Sequence, residues 1–439
     1  MTAIVAICLC LAFLGRCRAG FAWRMYTEDF FDATMEDYST PEIRRVPLEE
    51  IVLQVLLLRL GLPEVFLAKT IQPPSMEQVR RSVHTLLEIK AILPQPELPL
   101  TALGFHLAKL PVDVRLGKLM IVGALLNCIE PVLTIAASLG GKNPFVSPPN
   151  KRDQARAAHR RFKIEKCSDH LAIVSAYTQW RSVKECEGKE AASAFCFENY
   201  LSTNALAEIH ILREHFRRYL VESGFLHMSV TERASTEQAS DDGFDKRGLD
   251  GSSQPLPPLT SVETELVRCA LTAGMYPQII RATRGSMKAS TANQKGHFPI
   301  TLLQPDNQEV FIHPMSLTGS DLPNIFEDTI QGGITKDAYI VYYTKVASSK
   351  LYLHDCSSVP LPAVLLFGGD IAISKNRERI MVDGWIQLKT SELHAVLYKR
   401  LQREIEGLLI CKVEDPFANI TQRQACLAKV ISLLLMKKP

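Results

Sequence analysis

The chain is 439 residues long, with 46% hydrophobic and 22% charged residues, which is ordinary for a globular protein of roughly two to four domains. Its formal net charge of +3 is only mildly basic, so a nucleic-acid interface would have to come from local clustering of Lys and Arg. The 11 cysteines show neither a C-x-x-C pair nor zinc-ligand spacing, which argues against a zinc module and predicts reduced, mostly buried thiols.

The N-terminus opens with an unbroken apolar run, Ala3 to Leu14, followed by the charged stretch GRCRAG. The run is too short to span a bilayer, but it has the length of a signal-peptide core. No Lys or Arg precedes it, although a signal peptide normally carries a positive charge there. Secretion is therefore disfavoured at this point, but it stays open.

Residues 41–110 contain two predicted helices followed by a short predicted hairpin. The first helix begins after Pro47, a residue that favours the first turn of a helix, and stops before Gly61. The second begins after Ser75, whose hydroxyl is suited to cap it, and a short helix follows Thr101. This order of elements predicts a winged-helix domain over 41–110.

Residues 111–226 have helical periodicity throughout and predict a helical bundle. The stretch RLGKLMIVGALLNC is apolar almost all round, so it is expected at the centre of that bundle. The stretches SDHLAIVSAYTQW and ALAEIHILREHFRRYLVESGF predict further helices. Residues 227–260 carry almost no apolar side chains and are rich in Ser, Asp, Gly and Pro, which predicts a flexible linker.

After one more helix, short alternating stretches predict a small barrel or sandwich over 261–410. The predicted strands are QIIRATR, ITLLQ, EVFIHP, AYIVYYTKV, KLYLHDCS and AVLLFGG. Helical periodicity returns at ELHAVLYKRLQREIEGLL, and a C-terminal helix is expected over 411–439.

Self-contained catalytic motifs are absent from this sequence. It has no G-x-x-x-x-G-K-[ST] phosphate loop, no G-x-G-x-x-G loop, no H-E-x-x-H zinc motif and no G-x-S-x-G nucleophile motif. No acidic D-E-x-[DH] box follows an apolar strand. We therefore expect no catalytic residue and no metal site in this chain, and we look for binding chemistry instead.

The basic stretch KRDQARAAHRRFKIEK places Arg152, Arg156 and Arg160 along one side of a helix. Such a stripe suits the phosphate backbone of a nucleic acid, because each phosphate contact releases counterions. The ordinary alternative is a solvated face of the bundle, and it stays open.

The predicted barrel also carries basic and aromatic residues, among them Lys288, His313, Lys345 and Lys350. Small barrels of the OB type bind single strands through one basic, aromatic face. Since side chains alternate along a strand, about half of the aromatic residues should instead belong to the core. For the lone histidines His170 and His313, a structural hydrogen bond is the ordinary role.

From Gly15 to about Pro416 the chain resembles the C-terminal part of DEAH-box (DExH) ATP-dependent RNA helicases. The resemblance is carried by GRCRAGFAWRMYTEDFF, LTALGFHLAKLPVDVRLGKLM, SDHLAIVSAYTQW, FCFENYLS, FIHPMS and LLFGGDI…RERIMVDGWIQL. It implies a mixed multidomain fold, in which a winged helix is followed by an all-α ratchet-like bundle and an OB-fold β-barrel. The stretch MYTEDFFDATMEDYSTPEI is most similar to the subgroup linked to ribosome scanning in translation initiation.

The resemblance implies that residues 15–40 are a remnant of the second RecA-like helicase domain, preceded by an unrelated leader over 1–14. Gly15–Arg16 matches the end of the motif Q-R-x-G-R-A-G-R, whose last arginine faces the ATP γ-phosphate in complete relatives. The resemblance therefore implies that Arg16 is a nucleotide-binding remnant. Complete relatives use ATP and Mg²⁺, and no cofactor is expected in this chain, which we expect to be a truncated helicase.

The resemblance also implies which residues approach RNA in the bundle and barrel motifs. These residues are Asp169, Asn199, His313 and Ser316. Two positions depart from the family pattern, with Met315 where relatives usually carry Ser and His354 where Arg is common. A neutral histidine at 354 weakens one phosphate contact.

We therefore expect the RNA-binding C-terminal portion of a DEAH-box helicase, catalytically incomplete and cytoplasmic, with no membrane association. Its expected partners are single-stranded or structured RNA, together with the ribosome or an activating partner protein at the OB-fold. The alternative is a non-enzymatic interaction module whose OB surface binds protein instead of RNA. A secreted protein is the third hypothesis, which the unpaired cysteine spacing disfavours.

Overall fold

A computed structural model describes residues 25–35, 40–164, 167–226, 259–284, 300–305, 308–320, 322–325, 337–348, 350–369, 371–373, 379–389 and 392–436. The chain forms two compact units, residues 1–84 and 85–439, and each is described by itself. The predicted leader, nearly all of the predicted linker, Arg16 and Lys288 lie outside the described residues.

Short helices make up most of the described part of the first unit. They are α1 (Glu28–Thr34), α2 (Glu49–Leu57), α3 (Pro63–Leu67) and the beginning of α4 (Met76–Glu88). As predicted, Ser75 caps α4: its hydroxyl accepts from the Gln78 amide and the Gln78 side chain accepts from the Ser75 amide, both at 3.2 Å. As predicted, α2 begins after Pro47 and ends before Gly61, whose φ of +100° suits glycine.

The hairpin expected before Thr101 is reduced to one bridge. Ile92 and Leu100 form an isolated antiparallel pair instead of two strands. Helix α5 (Ala102–Ala108) then begins as predicted, because the Thr101 hydroxyl accepts a hydrogen bond from the Gly104 amide at 3.1 Å. The winged helix itself extends over both units and stays a prediction.

The helical bundle predicted after residue 110 is present in the second unit. Its helices are α6 (Val114–Leu125), α7 (Ile129–Gly140), α8 (Arg152–His159), α9 (Asp169–Glu187), α10 (Lys189–Glu198) and α11 (Thr203–Glu222). Helix α6 is buried over nearly its whole length, as its apolar sequence predicts. It packs against α7 on one side and against α12 (Ser261–Met275), the helix that leads into the barrel, on another.

A buried ionic network joins three helices of the bundle. Arg213 on α11 donates from Nη2 to Glu130 at 2.7 Å and also hydrogen-bonds Thr134. Glu130 and Thr134 both lie in α7. The Arg213 guanidinium lies 4.8 Å from the ring centre of Tyr177 on α9, whose hydroxyl is 2.7 Å from His210 Nδ1. Because Arg213 is only 1% exposed, its charge depends on these partners.

Five strands form the predicted barrel, in the order β2-β1-β4-β5-β3. They are β1 (Ile279–Arg284), β2 (Ile300–Leu303), β3 (Phe311–Ile312), β4 (Asp337–Ala347) and β5 (Leu351–Val359). The residues that lead into β3 also pair with β2, because Leu303 and Glu309 form an antiparallel bridge and the Val310 amide donates to the Leu302 carbonyl at 3.1 Å. The two edges of the sheet are therefore linked, and the sheet nearly closes.

The strand predicted at AVLLFGG is wrong, because this segment is helix α15 (Leu361–Phe367), placed after the short helices α13 (Leu317–Ser320) and α14 (Leu322–Ile325). Pro360 and Pro362 flank its first residue, where proline favours a helix start. A short apolar run that is buried on all sides has no periodicity to separate strand from helix.

A second sheet, not expected from the sequence, follows α15. Its strands β6 (Ile371–Ile373), β7 (Arg379–Val382) and β8 (Ile386–Lys389) are antiparallel neighbours in that order. The β7–β8 turn contains Asp383 and Gly384, both with positive φ, which is the Asp-Gly signature of a tight hairpin.

Two helices complete the described chain, α16 (Glu392–Glu414) and α17 (Thr421–Met436). The domain boundary predicted at residues 410–411 falls inside α16. None of the helices in the described ranges is both long and apolar enough to cross a membrane.

Gly274 allows α12 to approach the backbone of α6. A Cβ at this position would lie 2.6 Å from Leu119 Cβ and 3.0 Å from Leu119 Cα. We expect Gly274→Ala to lower the free energy of unfolding by roughly 1–3 kcal/mol through overpacking, as measured by urea unfolding. The control Gly407→Ala lies inside α16, where the added Cβ meets only Arg423 Nη2 at 3.7 Å, and should be stabilising by about 0.5–1 kcal/mol. Equal effects of the two substitutions would contradict the close helix contact.

Candidate nucleic-acid interface

The start of α9 is joined to strand β5 by buried hydrogen bonds. Ser357 Oγ lies 2.6 Å from both Ser168 Oγ and His170 Nδ1. The Ser358 amide donates to the Cys167 carbonyl at 2.8 Å. Burial lowers the pKa of His170 to about 3, so this ring is neutral. His170 thus has a structural role, with a serine hydroxyl as its partner.

Asp169, the first residue of α9, is the centre of this junction. One carboxylate oxygen accepts from the Ser316 hydroxyl at 2.7 Å and from the Cys356 amide at 3.0 Å. The other accepts from the Thr318 amide at 3.0 Å and the Thr318 hydroxyl at 3.1 Å. Burial raises the pKa of Asp169, while these hydrogen bonds act in the opposite direction. We call Asp169 with Ser316, Thr318 and Cys356 the carboxylate clasp.

A row of half-buried rings runs along the neighbouring barrel edge, where β3 and β5 pair in parallel. Its members, which we call the aromatic row, are Phe311, Tyr352, His313 and His354. The His313 and His354 rings are stacked with centres 4.2 Å apart, and Tyr352 lies 6.0 Å from His313 and 6.4 Å from Phe311. The intervening Leu353 is buried, so alternation along the strand turns the row away from the core.

Two cations are adjacent to the aromatic row. Lys350 Nζ lies 4.2 Å from the ring centre of Phe311, and Lys350 is exposed. Arg156 on α8 donates from Nη2 to the Pro314 carbonyl at 2.9 Å. Arg156 also shares a cavity of about 230 Å³ with Phe311 and His313. The predicted basic helix and the predicted barrel face therefore meet at one place.

The other two arginines of the basic stripe, Arg152 and Arg160, are exposed. Arg152 begins α8, whereas Arg160 follows its end in a single 3-10 turn. Ala155 and Ala158 are the buried side of the same segment. The spacing of the stripe is thus compatible with contacts to successive phosphates.

The side chains of the remaining described site residues do not belong to the aromatic row. Lys345 pairs with Leu353, so its side chain lies on the face of the sheet opposite to the aromatic row. Its Nζ donates to Gln304 Oε1 at 3.4 Å. Asn199 is 8% exposed and donates to the Phe195 carbonyl at the end of α10. Ser316 is equally buried and is occupied by the clasp.

A cavity of about 190 Å³ lies between the bundle and the aromatic row. Asn143, His313, His354 and Asp355 contribute polar groups to it, with Asp169 at its wall. Burial and the nearby charge of Asp169 raise the pKa of Asp355 to about 6. Burial and the neighbouring His313 lower the pKa of His354. Asp355 therefore changes charge in mildly acidic solution.

Three members of this site, Phe311, Asn143 and Asp355, were not predicted from the sequence. The signal for Phe311 was present, since Phe311 and His313 alternate as Tyr352 and His354 do. What was missing is the parallel register that pairs Phe311 with Tyr352. No group of His, Cys, Asp or Glu side chains in the described part of the chain is arranged to hold a metal ion.

Three protein-family models match this chain. "Helicase associated domain (HA2), ratchet-like" covers residues 113–173, "Oligonucleotide/oligosaccharide-binding (OB)-fold" covers 267–371, and "C-terminal domain in RNA helicases" covers 378–437. The ratchet-like bundle and the OB-fold predicted from the sequence are thereby confirmed.

Characterised helicases are similar over nearly the whole chain. Mus musculus ATP-dependent DNA/RNA helicase DHX36 is 34% identical over 406 residues, which are 92% of this chain and 36% of that protein. Xenopus laevis ATP-dependent RNA helicase dhx29 is 34% identical over 403 residues, 92% of this chain and 27% of that protein. Arabidopsis thaliana DExH-box ATP-dependent RNA helicase DExH1 is 33% identical over 427 residues, 97% of this chain and 38% of that protein. The chain thus spans between about a quarter and two fifths of their length.

The carboxylate clasp predicts a strong effect of Asp169→Ala. Removing the acceptor leaves buried donors of Ser316, Thr318 and Cys356 without a partner, so the free energy of unfolding should fall by about 3–5 kcal/mol. Urea unfolding measures this change. Asp153→Ala, at an exposed position of α8, is the control and should stay within about 0.5 kcal/mol of the parent. A loss below about 1 kcal/mol for Asp169→Ala would show that the clasp contributes little.

The raised pKa of Asp355 predicts that Asp355→Asn is stabilising at neutral pH. An acid whose folded pKa is raised contributes most stability below its unfolded pKa, and that contribution is lost as pH rises through the folded pKa. The variant and the parent should therefore be equally stable below about pH 4 and differ by roughly 1–2 kcal/mol above about pH 6, after allowance for solvent screening. Asn tolerates the φ of +53° at this residue. Denaturation at both pH values tests this, and a pH-independent difference contradicts the assignment.

Proposed function

The chain belongs to the DEAH-box RNA helicase family and corresponds to the C-terminal part of its members. On that premise we propose that it binds single-stranded RNA along the barrel edge. The observation that carries this proposal is the aromatic row, which lies between Lys350 and Arg156. Accessible aromatic rings beside cations are the combination with which proteins hold single strands.

The rings supply the first part of the interaction. Phe311 and Tyr352 are half-buried, so each is fixed in place yet keeps an accessible surface for a base. Stacking of a base on an aromatic side chain contributes about 1–3 kcal/mol and depends little on base identity. Duplex bases are already stacked on each other, so this contribution favours a single strand.

The cations supply the second part. Lys350 lies at one end of the row, and the arginine stripe of α8 approaches the row through Arg156. Arg152 and Arg160 are exposed and extend the positive charge along α8. Contacts of this kind bind phosphates without regard to sequence and weaken steeply as salt rises. We therefore infer sequence-tolerant, salt-sensitive binding.

We propose that these 439 residues bind RNA and do not hydrolyse ATP. Their sequence contains no G-x-x-x-x-G-K-[ST] loop to hold nucleotide phosphates. The resemblance implies that ATP and Mg²⁺ act in the RecA-like domains of full-length relatives, and we propose that residues 15–40 correspond to the end of the second such domain. A colorimetric phosphate-release assay with ATP, Mg²⁺ and oligouridine is expected to give the background rate.

We further propose the finer assignments that the resemblance supports. They are a winged helix over 41–110, a flexible linker over 227–260, cytoplasmic action, and a role linked to translation initiation with the ribosome as a partner. The helices capped by Ser75 and Thr101 support the first of these. Similarity to both the DHX36 and dhx29 proteins is compatible with more than one subgroup.

The test is fluorescence anisotropy with labelled oligouridine of about 12 nucleotides over a range of salt concentrations. Phe311→Ala and Tyr352→Ala should each weaken binding by about fivefold or more, because each removes one stacking surface. Arg152→Glu/Arg160→Glu should weaken it by about tenfold or more and reduce the salt dependence. Arg156 is left unchanged in this variant because it also bonds Pro314.

The matched control is Arg400→Glu/Lys429→Glu, which changes the net charge equally at exposed positions on α16 and α17. It is expected to keep at least half of the parent affinity. If both double variants lose affinity equally, binding reflects net charge alone and the proposed interface is wrong. Unchanged affinity after both ring substitutions would remove the aromatic row from the interface.

A further inference from the structure

A second candidate site lies away from the aromatic row, in a groove of about 760 Å³. Its walls are the segment 87–103, helix α6, the end of α15 and one side of α16. We call it the α16 groove. None of its lining residues belongs to the carboxylate clasp or the aromatic row, so the groove is independent of the RNA proposal.

The floor and walls of the α16 groove are mainly apolar. Ile92, Leu103, Val122, Leu366 and Leu409 all contribute to its surface. Leu103 is half-buried, and the nearby Leu93 is 42% exposed. Covering Leu93 and Leu103 removes apolar surface from water, which favours an occupant with an apolar face.

The charges of the groove have one predominant sign. Lys118, Lys399 and Arg403 line it and form no ion pair with any described residue. Lys118 is half-buried, and its ammonium has a single described acceptor, the Ile89 carbonyl at 3.3 Å. Glu406 is the one acidic residue among the lining residues. An occupant that carries negative charge would therefore gain partners that the described residues do not supply.

The groove is elongated along α16. Its lining positions on that helix run from Lys399 to Leu409, about 15 Å at the rise of an α-helix. That length corresponds to roughly three helical turns of an occupant lying alongside. A nucleic acid has no continuous apolar face to cover the groove, which excludes it as the best-fitting occupant.

We propose that the α16 groove binds an acidic amphipathic helix of a partner protein, about three turns long. Its apolar side would pack on Leu93 and Leu103, and its carboxylates would pair with Lys118, Lys399 and Arg403. This is the helix-in-groove mode of recognition, in which apolar anchors recur every three or four residues. Flanking charges then determine which amphipathic helices are accepted.

Lys118 gives this proposal a specific readout. Burial and the neighbouring charge of Lys90 lower the pKa of Lys118 to about 8. A carboxylate placed beside the ammonium favours its charged form and raises that pKa. Binding of an acidic helix should therefore take up protons near about pH 8.5, and calorimetry in buffers of different ionisation enthalpy measures the uptake. Lys118→Met should abolish the uptake.

The experiment is selection of binders to the full chain from a displayed library of helices about 16 residues long. Apolar residues are fixed with helical spacing and the remaining positions are randomised. The proposal expects enriched peptides to be net acidic. Labelled copies should bind Lys399→Glu/Arg403→Glu at least tenfold more weakly, and Leu103→Asp should also lose binding. The matched control Arg400→Glu/Lys429→Glu should bind within about twofold of the parent, since neither residue lines the groove.

Several outcomes would overturn the proposal. They are the absence of enriched helices, enrichment of neutral or basic ones, and equal binding to the groove variant and the control variant. Self-association of the chain that the groove variants remove would also overturn it, because the occupant would then be a second copy. Thermal unfolding of each variant separates loss of the site from loss of the fold. Oligouridine binding by the groove variants is expected to be unchanged, so either proposal can fail alone.

Discussion

One buried carboxylate, that of Asp169, is the central link between the helical bundle and the barrel, beside the hydrogen bonds of Ser357 and Ser358 to the start of α9. An ionised carboxylate away from water is costly unless several donors surround it, and here four hydrogen bonds come from Ser316, Thr318 and Cys356. Those donors belong to two separate segments of the barrel. The first turn of α9, the loop after β3 and the middle of β5 must therefore be placed together for the charge to be satisfied.

The aromatic row depends on this constraint because it lies on the same two barrel segments. His313 precedes Ser316 by one turn, and His354 precedes Cys356 by two residues on β5. Fixing Ser316 and Cys356 against α9 thus orients the rings toward the bundle side of the barrel. The Arg156 hydrogen bond to Pro314 then brings the basic stripe to the same edge. The candidate interface is consequently a property of the junction, and neither domain contains it alone.

Much of the fold was predictable from local sequence, because helices and half-buried strands have distinct periodicities. Helix α6, the caps at Ser75 and Thr101, and strands β1 to β5 followed from such patterns. Helix α15 did not, because a short segment buried on every side loses its period. Strands β6 to β8 were missed because each is only three or four residues long, although the Asp383-Gly384 turn was a readable signal.

The sequence by itself determined which chemistry the chain carries: the basic stripe of α8, the alternating rings of β3 and β5, and the motifs that relate it to DEAH-box helicases. Residue type and local spacing are sufficient for those features. Only the tertiary structure decided which of these residues meet. It paired Phe311 with Tyr352, turned Lys345 to the other face, and buried Asp169 within the clasp. Strand register and long-range packing join residues far apart in the chain, and one sequence alone contains no direct measure of such proximity.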